Sequence, residues 1–241
     1  MANVRSYKKL LVFSDVHVPK QNDRVVELLK AVRRHEKPDY VVSAGDFLDV
    51  SNVTSFPSDP DLFTQANEFE MANDLLDDLK ITHFIQANHE ERLERPSLVP
   101  FAIRNLIHPA KWLHLKERKV KWVPYSTHPK KVLKFGNLTV VHGHSAAQNA
   151  VKRAAERYGN VIFGHTHRVA MITLPHLSHE VAAYNIGCCC NLRASYIEKS
   201  DPVGWRSGFM LVHLYRSGRF SAHQVLADGR ITHVNGKEYR F

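Results

Sequence analysis

Two histidines one residue apart, His165 and His167, close the apolar run Val161-Ile162-Phe163. At the end of a β-type run, alternate residues face the same side of the backbone. Imidazole is the commonest side-chain metal ligand, so such a pair supplies half of a metal site. Alone, His-x-His is a weak signal and more often describes a pair of solvated histidines. The same punctuation recurs upstream, however: Asp15-Val16-His17, Gly45-Asp46-Phe47-Leu48-Asp49, Asn88-His89-Glu90 and His142-Gly143-His144 each end an apolar run with oxygen or nitrogen donors.

The elements that must gather these donors follow from periodicity. Lys9 to Ser14 reads as a buried strand. Val25, Val26, Leu28, Leu29 and Val32 fall at helical spacing between Asp23 and Arg34. Tyr40 to Ala44 is a second strand, which makes a β-α-β unit and predicts a parallel sheet. After a loop at 51–60, a helix is expected from about Leu62 to Leu79, then a strand from Thr82 to Gln86. Gly136-Asn137 fits a hairpin turn between strands Lys131–Phe135 and Leu138–Val141. Ser145 is expected to cap a helix ending at Tyr158. Val169–Leu174, Val181–Ile186, Gly208–Tyr215 and Phe220–Val225 read as antiparallel strands, and the tail from Ala227 as another short hairpin. In open α/β sheets ligands bind beyond the C-terminal strand ends, where every candidate donor lies.

The seven donors Asp15, His17, Asp46, Asn88, His142, His165 and His167 mix oxygen with imidazole and include no thiolate. That mixture suits Mn²⁺, Fe or Zn²⁺ rather than a structural zinc site or a calcium loop. Seven donors exceed what one catalytic ion with open positions uses. They fit two ions sharing a carboxylate, and ions roughly 3.5–4 Å apart clamp the attacking and leaving oxygens of a displacement at phosphorus.

In order and spacing, Asp15-x-His17, Gly45-Asp46-x-x-Asp49, Asn88-His89-Glu90, His142-Gly143 and Gly164-His165-x-His167 resemble the motifs of the calcineurin-like metallophosphoesterases, over about Leu10 to Gly187. The small bacterial and phage phosphoesterases are the most similar members. The resemblance implies an α/β fold, a four-layer α-β-β-α sandwich of two facing mixed β-sheets flanked by helices. It implies a dinuclear centre bridged by Asp46, with Asp15, His17 and His167 on one ion and Asn88, His142 and His165 on the other. Mn²⁺ is the expected metal, with Fe, Zn²⁺ or Ni²⁺ as alternatives. It also implies that His89 donates a proton to the leaving oxygen, held by Asp49, while a metal-bound hydroxide attacks. A nearby carboxylate would keep His89 protonated near neutral pH. Asn185-Ile186-Gly187 resembles the Asn-x-Gly that follows the last motif in many members.

Two departures stand out. Ala87 replaces the usual Gly before Asn88. Val50-Ser51 follows Asp49 where the related protein phosphatases carry a phosphate-binding Arg-Gly. The expected activity is therefore phosphodiester hydrolysis on nucleic acid or nucleotides, with phosphomonoester or phosphoprotein hydrolysis as the alternative. Arg92 is either within reach of a phosphate or a solvated helix charge, and His144 either touches substrate or is a surface histidine.

The 241 residues suit one domain with a small cap around 91–134. Trp112, Lys111, Lys116, Arg118, Lys119, Trp122, Lys130 and Lys131 in that cap form either a nucleic-acid groove or core aromatics with solvated lysines. A formal net charge of +9 favours an anionic phosphoester partner, DNA, RNA or nucleotide among them. Cys188, Cys189 and Cys190 read as buried thiols in a strand, in keeping with a reducing, cytoplasmic setting. No signal peptide or membrane span is expected, and the sequence leaves the oligomeric state open.

Overall fold

The structure is a computed structural model and describes residues 6–53, 64–126, 128, 131–175, 180–192 and 204–241. The first sheet begins with β1 (Tyr7–Phe13), followed by helix α1 (Asp23–Glu36) and β2 (Tyr40–Ser43). The Asn22 side chain accepts the Val25 N–H and caps α1, whose apolar stripe Val25, Val26, Leu28, Leu29 and Val32 is buried. Thr64 caps α2 (Gln65–Leu79) in the same way, so this helix starts slightly later than its periodicity suggests. Positions 62 and 63 lie outside the described residues.

Next come β3 (His83–Ile85) and three short helical pieces, α3 (Asn88–Glu91), α4 (Phe101–Arg104) and α5 (Pro109–Trp112). They lead to β4 (Lys121–Val123), the hairpin of β5 (Leu133–Phe135) and β6 (Leu138–Val140), then α6 (Ala150–Tyr158) and β7 (Val161–Phe163). The remaining strands are β8 (Val169–Pro175), β9 (Glu180–Ile186), β10 (Gly208–Tyr215) and β11 (Phe220–Leu226). A terminal hairpin, β12 (Ile231–Val234) and β13 (Lys237–Arg240), ends the chain as expected.

The strands form a six-stranded sheet in the order β11-β10-β1-β2-β3-β4 and a five-stranded sheet in the order β5-β6-β7-β9-β8. Both are mixed. Strands β1 to β4 are parallel, with β10 and β11 antiparallel at their edge. In the second sheet β9 pairs antiparallel with β8 but parallel with β7. The antiparallel expectation for Val181–Ile186 therefore holds on one side only.

Alternation in β1 shows how the layers are made. Leu10 and Val12 face the second sheet with Val42, Val140, Ile162 and Met210, while Leu11 and Phe13 face α1 and α2. Helix α6 covers the outside of the second sheet through Ala150 and Ala155 against Phe163 and Ala183. The result is two main mixed sheets flanked by helices. Each fully buried Leu, Val or Phe contributes about 1.5–3 kcal/mol, so these cores hold the sheets together without disulfides. The three cysteines are buried and unpaired, and they follow β9 outside any strand, Cys188 and Cys190 in isolated bridges to Ser207 and Gln21.

Helix α6 corrects one expectation. It begins at Ala150, after Asn149, not at Ser145. The Ser145 hydroxyl accepts the Ala147 N–H in a local turn instead. Among the described residues, no helix is long and apolar enough to cross a membrane.

Candidate metal centre

All seven predicted donors meet where the two sheets face each other. The first sheet brings Asp15 and His17 after β1, Asp46 after β2 and Asn88 after β3; the second brings His142 after β6 and His165 and His167 after β7. Their ligand atoms fall into two main groups, Asp15 with His17 and His167, and Asp46 with His142 and His165, each within 4.8 Å. Asn88 Oδ1 lies 3.0 Å from His142 Nε2 and joins the second group. Asp46 Oδ2 stands between them, 3.2 Å from His142 Nε2 and 3.9 Å from His17 Nε2.

The turns that aim these side chains are unusual. Asp15, His17, Asp46, His165 and His167 have φ of 55°, 52°, 46°, 69° and 57°, a left-handed conformation uncommon for residues with a Cβ. Close approach of backbones makes room for them. A Cβ on Gly45 would come 2.6 Å from Ala87 Cβ and 2.7 Å from His142 Nδ1. One on Gly164 would fall on Ser14 Oγ and Asp15 Oδ2.

Hydrogen bonds behind the rings fix which nitrogen faces inward. His142 Nδ1 lies 3.0 Å from the Ala44 carbonyl, and His17 Nδ1 lies 3.1 Å from Asp49 Oδ1. Each arrangement keeps the proton on Nδ1 and leaves the Nε2 lone pair for the centre. Inside, His17 Nε2 faces His167 Nε2 at 3.3 Å and His142 Nε2 faces His165 Nδ1 at 3.2 Å. Converging imidazole lone pairs beside buried carboxylates, with no thiolate among them, are a donor set that fits two divalent ions. Burial alone would lower the pKa of His142 and His167, but Asp46 beside the first and Asp15 beside the second lift them to about 9 and about 10. Burial alone would raise Asp46; the imidazoles of His142 and His89 hold it well below the usual carboxylate range.

His89 sits at the mouth of the centre, with Nε2 3.9 Å from Asp46 Oδ2. Its partner differs from expectation. Nδ1 lies 2.6 Å from the main-chain carbonyl of Asp49, while the Asp49 carboxylate is 3.7 Å away. That carboxylate is taken by His17, by Lys20 at 2.6 Å and by Ser51. Arg92 Nη2 reaches His89 Nε2 at 3.0 Å. A guanidinium only donates, so Nε2 accepts and Nδ1 donates to the carbonyl. Burial, which outweighs the pull of Asp46, lowers the His89 pKa to about 4. The expectation of a carboxylate keeping this ring protonated is not met in this arrangement.

Several supports were not foreseen. Glu90, fully buried, accepts the N–H groups of Phe47, Leu48 and Ala87 at 2.8–2.9 Å and so ties the Asp46 turn to α3. Its place inside the Asn88-His89-Glu90 motif was the only sequence signal. Cys190 Sγ lies 3.9 Å behind His167 Nδ1 and, with Cys188, forms a further donor group around that ring; nothing in the sequence pointed to this. Asn185 hydrogen-bonds Thr166, between the two histidines of the last turn. His144 Nε2 lies 3.1 Å from the Ser126 carbonyl, with its ring against Tyr125.

Within 91–134, Trp112 stacks on Phe69 and Trp122 on Phe84, with ring centroids 5.4 and 5.5 Å apart. Arg118 pairs with Asp77 at 2.6 Å, and Lys111 donates to the Asn105 carbonyl. Each of these tryptophans has one face on a packing partner while Trp112 stays partly exposed, and Lys130 lies outside the described residues.

No curated protein matches the chain. Solved structures similar to it include a single mutant of Vps29 from Entamoeba histolytica, at 16% identity and TM-score 0.45, covering 97% of this chain and 99% of that one. They also include YfcE, a phosphoesterase from E. coli, at 16% identity and TM-score 0.42, covering 90% and 98%. The nuclease MPE of Pseudomonas putida follows at 15% identity and TM-score 0.39, covering 89% and 87%. A family model described as calcineurin-like phosphoesterase matches residues 8–169. That match takes in every strand end from Asp15 to His167, and the chain belongs to the calcineurin-like phosphoesterase family.

Proposed function

We propose that this chain is a dinuclear-metal phosphodiesterase acting on nucleotides or nucleic acid. One observation supports this reading above the others: Asp46 Oδ2 stands between two groups of inward-facing donors. Asp15, His17 and His167 would hold one ion, Asn88, His142 and His165 the other, and Asp46 both. Mn²⁺ suits the nitrogen and oxygen donors. Such ions supply Lewis acidity toward a phosphoryl oxygen and make water a stronger acid.

The protein's own groups do the rest. The second-layer hydrogen bonds hold the rings in place before substrate arrives, so little reorganisation is needed. His89, aligned by the Asp49 carbonyl, would serve a leaving oxygen only after taking up a proton on Nε2, the nitrogen that Arg92 now faces. With Trp122 stacked on Phe84 and one face of Trp112 on Phe69, base stacking along a polymer has less to work with. A nucleotide-sized diester is the better fit, and binding should depend only shallowly on salt.

Hydrolysis of bis-p-nitrophenyl phosphate against p-nitrophenyl phosphate in Mn²⁺ tests the reading. The diester is expected to be the better substrate; preference for the monoester would make the chain a phosphomonoesterase. His89→Ala should lose about 10²–10⁴-fold in turnover and keep its metal. Asp46→Asn should lose both metal and activity. An Asp46→Asn protein that still binds two ions would refute the bridging role.

A further inference from the structure

Arg92 opens the single 3-10 turn Arg92–Glu94 that continues α3. Three residues after His89, it lies on the same face of that segment. Nη2 reaches His89 Nε2 at 3.0 Å and Nη1 reaches the Asp49 carbonyl at 3.2 Å. A guanidinium has five N–H donors, and these contacts use two. Its side chain is half-buried, not the solvated charge that its helix position would allow.

Among the described residues no carboxylate pairs with it. Asp46 is turned to His142, Asp49 to His17 and Lys20, and Glu90 to three backbone N–H groups. The next arginine is different: Arg95 is exposed and pairs with Glu91 at 2.7 Å. Asp46, Asp49 and Glu90 act on this partly desolvated cation through space only, which leaves its N–H donors open to an anion in direct contact. Arg92 stands beside His89, at the edge of a centre lined with metal-ligand chemistry.

We propose that Arg92 binds the substrate's phosphoryl group, its unclaimed N–H donors taking the non-bridging oxygens in a forked, charge-assisted pair. The proposal rests on the phosphoesterase reading of the centre. It gives that reading a substrate-binding residue on the side where His89 meets the leaving oxygen. Planar, forked geometry is something lysine lacks, so the two residues should not be interchangeable here.

The test compares wild type, Arg92→Ala and Arg92→Lys as Mn²⁺-loaded full-length proteins. KM for bis-p-nitrophenyl phosphate and the inhibition constant of inorganic phosphate should each rise about 10- to 100-fold in Arg92→Ala, the size of one or two hydrogen bonds to a charged group. Arg92→Lys should recover only part. Metal content and Tm should stay at the wild-type values, and added guanidinium ion at low concentration should partly restore Arg92→Ala. Wild-type KM and phosphate inhibition in Arg92→Ala, with His89→Ala inactive, would overturn this proposal alone. Phosphate binding that depends on Arg92 in a protein that hydrolyses no phosphoester would sustain it and overturn the enzymatic reading instead.

Discussion

Left-handed backbone at residues with a Cβ occurs at several places among the described residues, and two kinds of them invite comparison. At helix ends, Lys37 and Lys80 take φ of 47° and 54°, and their N–H groups close the last turns of α1 and α2. At strand ends, Asp15, His17, Asp46, His165 and His167 take the same conformation around the candidate centre. Such backbone costs an ordinary residue about 1–2 kcal/mol. At helix ends the side chain points to solvent and glycine would serve better. At the strand ends the side chain is the reason for the turn, so glycine is excluded whatever it would do for stability. Strain that is incidental in one place is tied to function in the other.

Among the groups that support the strained turns, the largest effect should come from Glu90, which ties the Asp46 turn to α3. Its oxygens accept from Phe47 and Leu48, the two residues directly after Asp46, and from Ala87. Glu90→Gln puts an amide NH₂ where an acceptor stood and leaves at least one buried N–H unpaired, at about 1–3 kcal/mol. The substitution should also weaken metal binding about 10- to 100-fold, as outer-layer changes commonly do. Chemical denaturation and metal titration read the two effects. If stability falls while metal affinity stays, Glu90 supports the fold but does not aim the centre.

Which parts of this were legible in the sequence follows from the same contrast. Donor types at strand ends are local signals, and Asp15, His17, Asp46, Asn88, His142, His165 and His167 could be picked out before their meeting was seen. The layer arrangement followed from alternation, as Leu10 and Val12 against Leu11 and Phe13 show. The supports are contacts between distant residues. Nothing near Cys190 announces that it backs His167, and nothing near Trp112 announces Phe69. The stretch 91–134 has no period because its helices, α4 and α5, are single turns. Asp49 shows the limit within the motif itself: its type was informative, but which of its oxygens meets His89 depended on His17, Lys20 and Ser51 competing for the carboxylate.

His165 allows the cost of the site's backbone to be measured. It is only partly buried and has φ of 69°. His165→Gly and His165→Ala both remove the imidazole, so the difference between them reports the backbone alone. With chelator present, the glycine variant should be more stable than the alanine variant by about 1 kcal/mol, or roughly 2–4 °C in Tm for a chain of this size. Both should lose most of the Tm rise that added Mn²⁺ gives the wild type. Equal melting of the two variants would mean that the turn relaxes once the ring is gone, and the strain would belong to the side chain's contacts.

Lys80→Gly is the counterpart at a helix end, and its effect should be the smallest. Lys80 is exposed, and its N–H already closes α2 onto Asp77 and Leu76. Glycine keeps that bond and relieves the Cβ clash of the left-handed conformation, but it adds freedom to the unfolded chain. The net gain should therefore be about 0.5–1 kcal/mol, read as a shift in denaturation midpoint at unchanged slope. Metal binding and hydrolysis should not move, because α2 ends on the far side of the first sheet from the donors. A gain at Lys80 together with a glycine-over-alanine gain at 165 would show one backbone penalty acting in both places, tolerated at the centre for its side chain. A loss at Lys80 would show that the Lys side chain itself stabilises the helix end, and the two kinds of left-handed turn would no longer be comparable.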